Sequence, residues 1–373
     1  MKPQQKVDYF IYDKWLLILS AALLSIGFLM VASSSMVISD KTYNAPFHFL
    51  IHQLMYIGVG VFLGLIIIRI PIIFWKKISN YLLLFSFIAL ILVLVPGIGK
   101  EVNGSIRWIG FGPVELQVSE FAKFSIITYL ASYLVRRESE VRQSFRGFIK
   151  PMIIIGMMGI LLLMEPDFGA VSVITLAALG MIFLSGARLW QFVVLMVIVA
   201  GGLSTLAIAS PYRLLRLTTF LHPWANAFSS GYQLTQSLIA FGRGGIFGVG
   251  LGNSIQKLFY LPEAHTDFLF AVLGEEFGLL GELVVIALFA MLVTRIFIVS
   301  KKAYSNGTKF SAYMAYGFAL WIGLQAIINI GVNSGLLPTK GLTLPFMSYG
   351  GSSMMLNFVV LAILMRISHE AEK

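Results

Sequence analysis

The run Tyr260-Leu261-Pro262-Glu263-Ala264-His265-Thr266-Asp267-Phe268 sets an aspartate at the mouth of a long apolar stretch, and Gly274-Glu275-Glu276-Phe277-Gly278 follows within it. Asp267 reads in two ways. It is either the cap of the helix that follows or a general base at a membrane-facing cleft. Glu275 and Glu276 lie about two helical turns deeper, roughly 12 Å at 1.5 Å per residue. Acidic groups at that depth need a polar cavity or a partner. At 100° per residue, Glu275 falls closer to the Asp267 face than Glu276 does, which makes it the expected companion. His265 is a weaker rival for the base.

Three further sets carry chemistry. Ser119, Glu120 and Lys123 open another apolar run. They read either as a cap with a local i,i+3 ion pair or, with Arg107, as the polar floor of a cavity. Glu165-Pro166-Asp167-Phe168-Gly169 is a tight turn in which Asp167 either caps a helix or joins Glu165 in holding a divalent cation. Arg213, Arg216, Arg243, Lys257 and Lys340 can receive an anionic head group, since such clamps stabilise charge on phosphoryl oxygens. Alternatively, they snorkel at an interface. The glycines between Gly242 and Gly252 offer backbone amides to phosphate, but their spacing matches no P-loop. Serine triads, zinc motifs, dinucleotide fingerprints and kinase motifs are missing.

These residues are positioned by membrane spans. The chain has 373 residues, of which 58% are hydrophobic and only 12% charged, with a mean hydropathy of +0.87. A soluble domain carries about 25% charged residues. Ten apolar stretches stand out: 15–37, 52–68, 78–96, 120–135, 151–164, 168–184, 189–209, 268–299, 310–332 and 350–365. Each approaches the length that crosses a bilayer as a helix, and none alternates as a barrel strand does. The expected architecture is an all-α integral membrane protein with about ten transmembrane helices. Its segments are an inner tail at 1–14, one membrane domain at 15–366 and an inner tail at 367–373. The first run is too long for a signal segment.

Lys and Arg set the orientation. With both termini cytoplasmic, most of the 27 Lys and Arg residues fall on the inner side. The net charge of +10 is spread between apolar runs, so it determines topology and gives no sign of nucleic-acid binding. The outer side then carries a 97–117 loop with an Asn103-Gly104 turn signal, a 335–349 loop, and a large extracytoplasmic loop at 210–266 between spans seven and eight. Within that loop, 212–221 reads as an interfacial helix and 231–241 as a short second one. With no cysteine in the chain, disulfide and thiolate chemistry are excluded.

Several of these segments resemble the signatures of the SEDS family, the shape, elongation, division and sporulation proteins. They are YLPEAHTDFLFAVLGEE at Tyr260–Glu276, GSIRWIGFGPVELQVSEFAK at Gly104–Lys123, EPDFGA at Glu165–Ala170, GYQLTQSLIAFGRGG at Gly231–Gly245, and LPTKGLTLPFMSYGGSS at Leu337–Ser353. The last is more similar to the division branch than to the elongation branch. Val118 departs from the proline often found before Ser-Glu.

The resemblance implies a ten-helix fold and a peptidoglycan glycosyltransferase that polymerises lipid II into glycan strands outside the cytoplasmic (inner) membrane. It implies a class B penicillin-binding protein as partner, other division proteins nearby, and use at the division septum. It places the essential aspartate at Asp267, cavity residues at Arg107, Glu120 and Lys123, and a divalent cation, Mg2+ or Mn2+, at the site. With the residues read above, the expected substrate contacts are Arg107, Glu120, Lys123, Arg243, Lys257, His265, Glu275 and Lys340. Ser348 and Ser352, in the turn before the last span, line the cleft. A precursor flippase or a non-catalytic scaffold are the alternatives.

Overall fold

The computed structural model describes residues 12–102, 105–111, 114–194, 196–197, 220–339 and 341–372. The apolar runs fold as helices because lipid offers backbone groups no partner, so each span satisfies its own. The first three are α1 (Lys14–Tyr43), α2 (His48–Ile67) and α3 (Ile72–Val93). After a small sheet come α4 (Val118–Arg136), α5 (Glu138–Gln143), α6 (Phe145–Met164) and α7 (Phe168–Leu184). Beyond residue 220 lie α8 (Tyr232–Gly244), α9 (Leu269–Ser305), α10 (Lys309–Asn333) and α11 (Gly351–Glu370).

Among the described residues, seven helices are long and apolar enough to cross a bilayer: α1, α2, α3, α6, α9, α10 and α11. α7 is apolar but shorter, and α4 carries Glu120 and Lys123. Every expected span coincides with a helix except 189–209, most of which lies outside the described residues. So do the 1–11 tail, Arg213, Arg216, nearly all of the expected interfacial helix at 212–221, and Lys340.

The all-α expectation needs one correction. The outer 97–117 segment contains a three-stranded antiparallel sheet of β1 (Gly99–Val102), β2 (Ser105–Phe111) and β3 (Val114–Gln117), in that order. Val102 pairs with Ser105, so β1 and β2 are joined across Asn103-Gly104, the dipeptide that favours two-residue hairpins. The sheet is fastened to the bundle by Ser352. Its hydroxyl accepts from the Gln117 amide at 2.8 Å and donates to the Glu115 carbonyl at 3.0 Å.

α4, α10 and α11 form the buried centre. α9 packs along α10, α1 and α8, while α11 packs along α2. α2 and α3 leave Leu54, Phe62, Leu65, Leu84 and Phe85 exposed, the pattern of a lipid-facing surface. The inner ends are tied by ion pairs. Asp13 caps α1 through the Trp15 and Leu16 amides and also pairs with Arg295 at 2.8 Å. Glu138 receives Arg142 and Lys309 at 2.9 and 2.6 Å.

α9 is broken at Gly278, whose φ of 65° and ψ of −166° interrupt the helix. The break is repaired by the segment after α8. The Glu275 and Glu276 carbonyls accept from the Val249 and Gly250 amides, both at 3.0 Å. The Leu279 and Leu280 amides donate to the Gly245 and Ile246 carbonyls at 2.9 and 3.2 Å. A side chain at Gly278 would sit 2.6 Å from the Ile246 carbonyl oxygen, and one at Gly248 would strike the Glu276 carbonyl. The expectation that these glycines free their amides for phosphate therefore fails at Gly248 and Gly250. Backbone there replaces hydrogen bonds that the broken helix has lost, as non-helical backbone at membrane depth must.

Candidate functional site

Asp267 sits half-buried just before α9. Its main-chain carbonyl is gripped from α10: Asn329 and Asn333 each donate a side-chain amide to it at 2.9 Å. Asn329 also donates to the Leu342 carbonyl at 2.5 Å, and Asn333 accepts from the Ala271 amide at 3.1 Å. The two asparagines are four apart on α10 and so share one face. They hold the aspartate, the first turn of α9 and the 341–342 segment as one unit.

The carboxylate itself takes no side-chain hydrogen bond among the described residues, so it is not spent as a cap. One of its oxygens lies 2.8 Å from where a Cβ on Gly341 would stand. Only glycine leaves that approach clear.

Three charged groups act on Asp267. Burial, with Glu263 and Asp167 adding to it, pushes the Asp267 carboxyl up to about 7, while Arg107 opposes the rise. Arg107 projects from β2. Its guanidinium donates to the Glu165 and Pro166 carbonyls at 3.0 and 2.7 Å, which pins the turn between α6 and α7. In that turn Asp167 caps α7 through the Ala170 amide at 3.0 Å. Glu165 is fully buried, with neither oxygen bonded among the described residues. Burial and then Asp167 push it up to about 8 against Arg107. The turn, β2, the 341–342 segment and the start of α9 thus meet around one carboxylate.

The other expected residues are placed elsewhere. Lys123 is fully buried, paired with Glu120 at 2.7 Å and donating to Gln325 at 2.7 Å beneath the Trp321 ring. Gln325 passes the link on to the Thr343 carbonyl at 2.8 Å, so the pair braces α4 against α10 and the 341–348 segment. Glu275 is fully buried too, but its partner is Arg243 at 2.8 Å. It also accepts from the Ser254 hydroxyl and from the Ile255 and Gln256 amides at 3.0 and 3.2 Å. It is not the companion of Asp267 that an ideal helix projects, because the chain after α8 folds back to claim it.

Lys257 is buried against Glu276 and the Ser33 hydroxyl at 2.7 and 2.8 Å. Ser348 accepts from the Leu344 amide at 2.9 Å and shapes its own turn, while Ser352 fastens the sheet. His265 is buried with its Nδ1 unpartnered among the described residues. Burial pushes its imidazole down, with Glu263 opposing.

The asparagine clamp was missed by the sequence reading, although polar amides at i and i+4 across the end of the 310–332 apolar run were visible as its signal. Among the described residues, no three His, Asp or Glu side chains converge as a metal cage. The site therefore presents one base-competent carboxylate and one guanidinium whose charge acts on it.

Comparison with known proteins follows the same lines. A family model described as "Cell cycle protein", for the FtsW/RodA/SpoVE group, matches residues 14–373. The chain is 59% identical over 361 residues to the probable peptidoglycan glycosyltransferase FtsW of Coxiella burnetii, covering 97% of both chains. It is 56% identical to the protein of the same name from Legionella pneumophila, covering 96% of this chain and 91% of that one. A chain of a solved peptidoglycan synthase complex superposes with a TM-score of 0.81 at 26% identity, covering 97% of this chain and 99% of that one. The chain belongs to the FtsW/RodA/SpoVE family of multi-pass membrane cell cycle proteins.

Proposed function

We infer that this chain is a peptidoglycan glycosyltransferase that polymerises lipid II at the outer face of the cytoplasmic membrane, with Asp267 as general base. The observation that carries the reading is the Asp267 carboxylate. It is held through its backbone by Asn329 and Asn333, has no side-chain hydrogen-bond partner among the described residues, and is pushed up to about 7. A base of that strength is half-deprotonated near neutral pH and still accepts a proton well. Relatives named peptidoglycan glycosyltransferase supply the reaction class.

The chemistry needs little more. Asp267 takes the proton of the acceptor sugar hydroxyl. That oxygen attacks the anomeric carbon of the donor, the bond to the lipid pyrophosphate breaks, and the pyrophosphate leaves as an anion. One displacement inverts the anomeric centre, so the carboxylate pair of glycoside hydrolases is not required. Arg107, already beside Asp267, offers positive charge where the leaving group develops negative charge. A divalent cation would neutralise the pyrophosphate; with no three-ligand cage among the described residues, it would take most of its ligands from substrate and water, as Mg2+ commonly does. A class B penicillin-binding protein is the proposed partner and the division septum the proposed place of work. The structural likeness to a synthase complex supports the first, and similarity to FtsW proteins supports the second.

The test is lipid II polymerisation by purified protein with its transpeptidase partner in detergent, wild type beside Asp267→Asn. Strands from wild type and none from a folded mutant support the reading. Equal product from both removes Asp267 as the base. No product from either, with a competent partner, favours a flippase or scaffold.

A further inference from the structure

A path of aromatic and imidazole rings runs outward from the site and takes no part in the chemistry above. It begins at His265, two residues before Asp267. His265 contacts Phe49 at 4.6 Å and Tyr349 at 5.6 Å between ring centroids. Phe49 meets Tyr349 edge-on at 5.2 Å, and on its other side meets His48 at 5.7 Å and Tyr43 at 5.6 Å. Tyr43 and His48 are stacked at 3.9 Å, 14° from parallel, and His52 lies 4.4 Å from His48.

The path is built into the fold. Tyr349 donates its main-chain amide to the His265 carbonyl at 3.0 Å. The α1–α2 turn that carries Tyr43 and His48 is closed by Ser39, which donates to the Ala45 carbonyl at 2.6 Å and accepts from the His48 amide at 3.1 Å. Asn44 completes the turn at a φ of 49°. The rings are therefore set before anything binds. They are also open: Tyr43 is 49% exposed, and His48, Phe49, His52 and Tyr349 are half-buried. At the inner end, His265 is more than nine-tenths buried, with Nδ1 unpartnered.

Flat ring faces beside hydrogen-bonding edges suit a ligand with apolar faces and polar rims, and a pyranose is such a ligand. Aromatic and imidazole planes give area at little entropic cost, since each ring has only two rotatable side-chain bonds. A membrane-interface belt also uses aromatic rings. Belt residues stand around a rim, however, whereas these touch one another in two linked clusters that share Phe49 and reach His265, two residues before Asp267.

We propose that the ring path from His265 to Tyr43 is a glycan subsite, on which sugar rings of the growing strand rest while the strand is extended at Asp267. This rests on the glycosyltransferase reading above. Resting the strand there keeps it from leaving between additions, so the path sets strand length.

The experiment compares Tyr43→Ala and His48→Ala with Tyr43→Phe and His48→Phe, each purified with its partner. Three quantities are read: strand length, thermal midpoint, and binding of a soluble N-acetylglucosamine tetramer by saturation-transfer NMR. The expected result is strands at least about threefold shorter and a weakened tetramer signal in the alanine variants, with both restored in the phenylalanine variants and the thermal midpoint unmoved. Wild-type strand length in the alanine variants overturns the subsite. Shortening that tracks a lowered thermal midpoint, or that phenylalanine does not restore, also overturns it in favour of a structural or lipid-anchoring role. If wild type makes no strands but binds the tetramer through Tyr43, the reaction reading falls and the subsite stands.

Discussion

Asn333 donates its side-chain amide to the main-chain carbonyl of Asp267 at 2.9 Å, from a helix whose sequence neighbours are almost entirely apolar. The same side chain accepts from the Ala271 amide. Asn333→Leu therefore takes one hydrogen-bond partner from each of two buried backbone groups, which keep Asn329 and the Phe268 carbonyl, at about 0.5–1.5 kcal/mol each. It also frees the aspartate to drift, and a 1 Å misplacement costs on the order of 10²-fold in rate. Polymerisation rate should fall by more than the thermal midpoint alone accounts for, and Asn329→Leu should behave similarly. Unchanged turnover in a stable Asn333→Leu protein would remove the clamp from the mechanism.

The pH profile follows from the charges around Asp267. The base works deprotonated, so the rate should rise with pH through about 7. Arg107 favours the charged carboxylate, so Arg107→Gln should move that limb to higher pH. Glu263 disfavours it, so Glu263→Gln should move the limb lower. Lipid II turnover measured between pH 5 and 9 checks both directions.

Asp267→Asn should be inactive and yet more stable than wild type at pH 8. The carboxyl of Asp267 is raised in the folded state, so the unfolded chain loses its proton first as pH rises. Folding stability is consequently lost between the ordinary aspartate value of 3.8 and about 7. The gap in thermal midpoint between mutant and wild type should open across that window and vanish in acid.

Glu275→Ala should loosen the outer loop. It leaves Arg243, Ser254 and two backbone amides without their acceptor. Breaking a buried pair costs about 3–5 kcal/mol, and the partial exposure of Arg243 puts this case at about 3. Limited proteolysis after α8 should speed up, while Lys257–Glu276, one residue on, should keep α1 in place.

Gly278→Ala should prevent a stable protein from accumulating. The residue occupies a backbone region closed to L side chains, at about 1–3 kcal/mol, and its Cβ would press on the Ile246 carbonyl. Yield of monodisperse protein from membranes is the measurement, with Gly307→Ala as control. Gly307 also has a positive φ but has open space around it.

The spans were legible because continuous apolar runs are local signals. The capping role of Asp167 was legible for the same reason: it stands at the end of an element. What stayed hidden was non-local. Projection along an ideal helix paired Glu275 with Asp267, whereas the folded-back chain pairs it with Arg243. Gly278 reads as a tolerated glycine within a span, and only the neighbouring backbone shows that the helix stops there. The sheet at 99–117 was passed over as loop, although Asn103-Gly104 and the alternation in Ser105–Phe111 carried its signal.

The break at Gly278 bears on how the molecule is made. Gly278 lies eleven residues past Asp267, roughly 16 Å along α9, and the peptide groups on either side of it draw hydrogen bonds from residues 245–250. α9 cannot therefore enter hydrocarbon as a finished helix. An insertion machine must either hold it beside water or bring residues 245–250 into the bilayer with it. Those residues emerge from the ribosome before α9. By either route, the carboxylate at the head of α9 is set in place only once residues 245–250 have met the break.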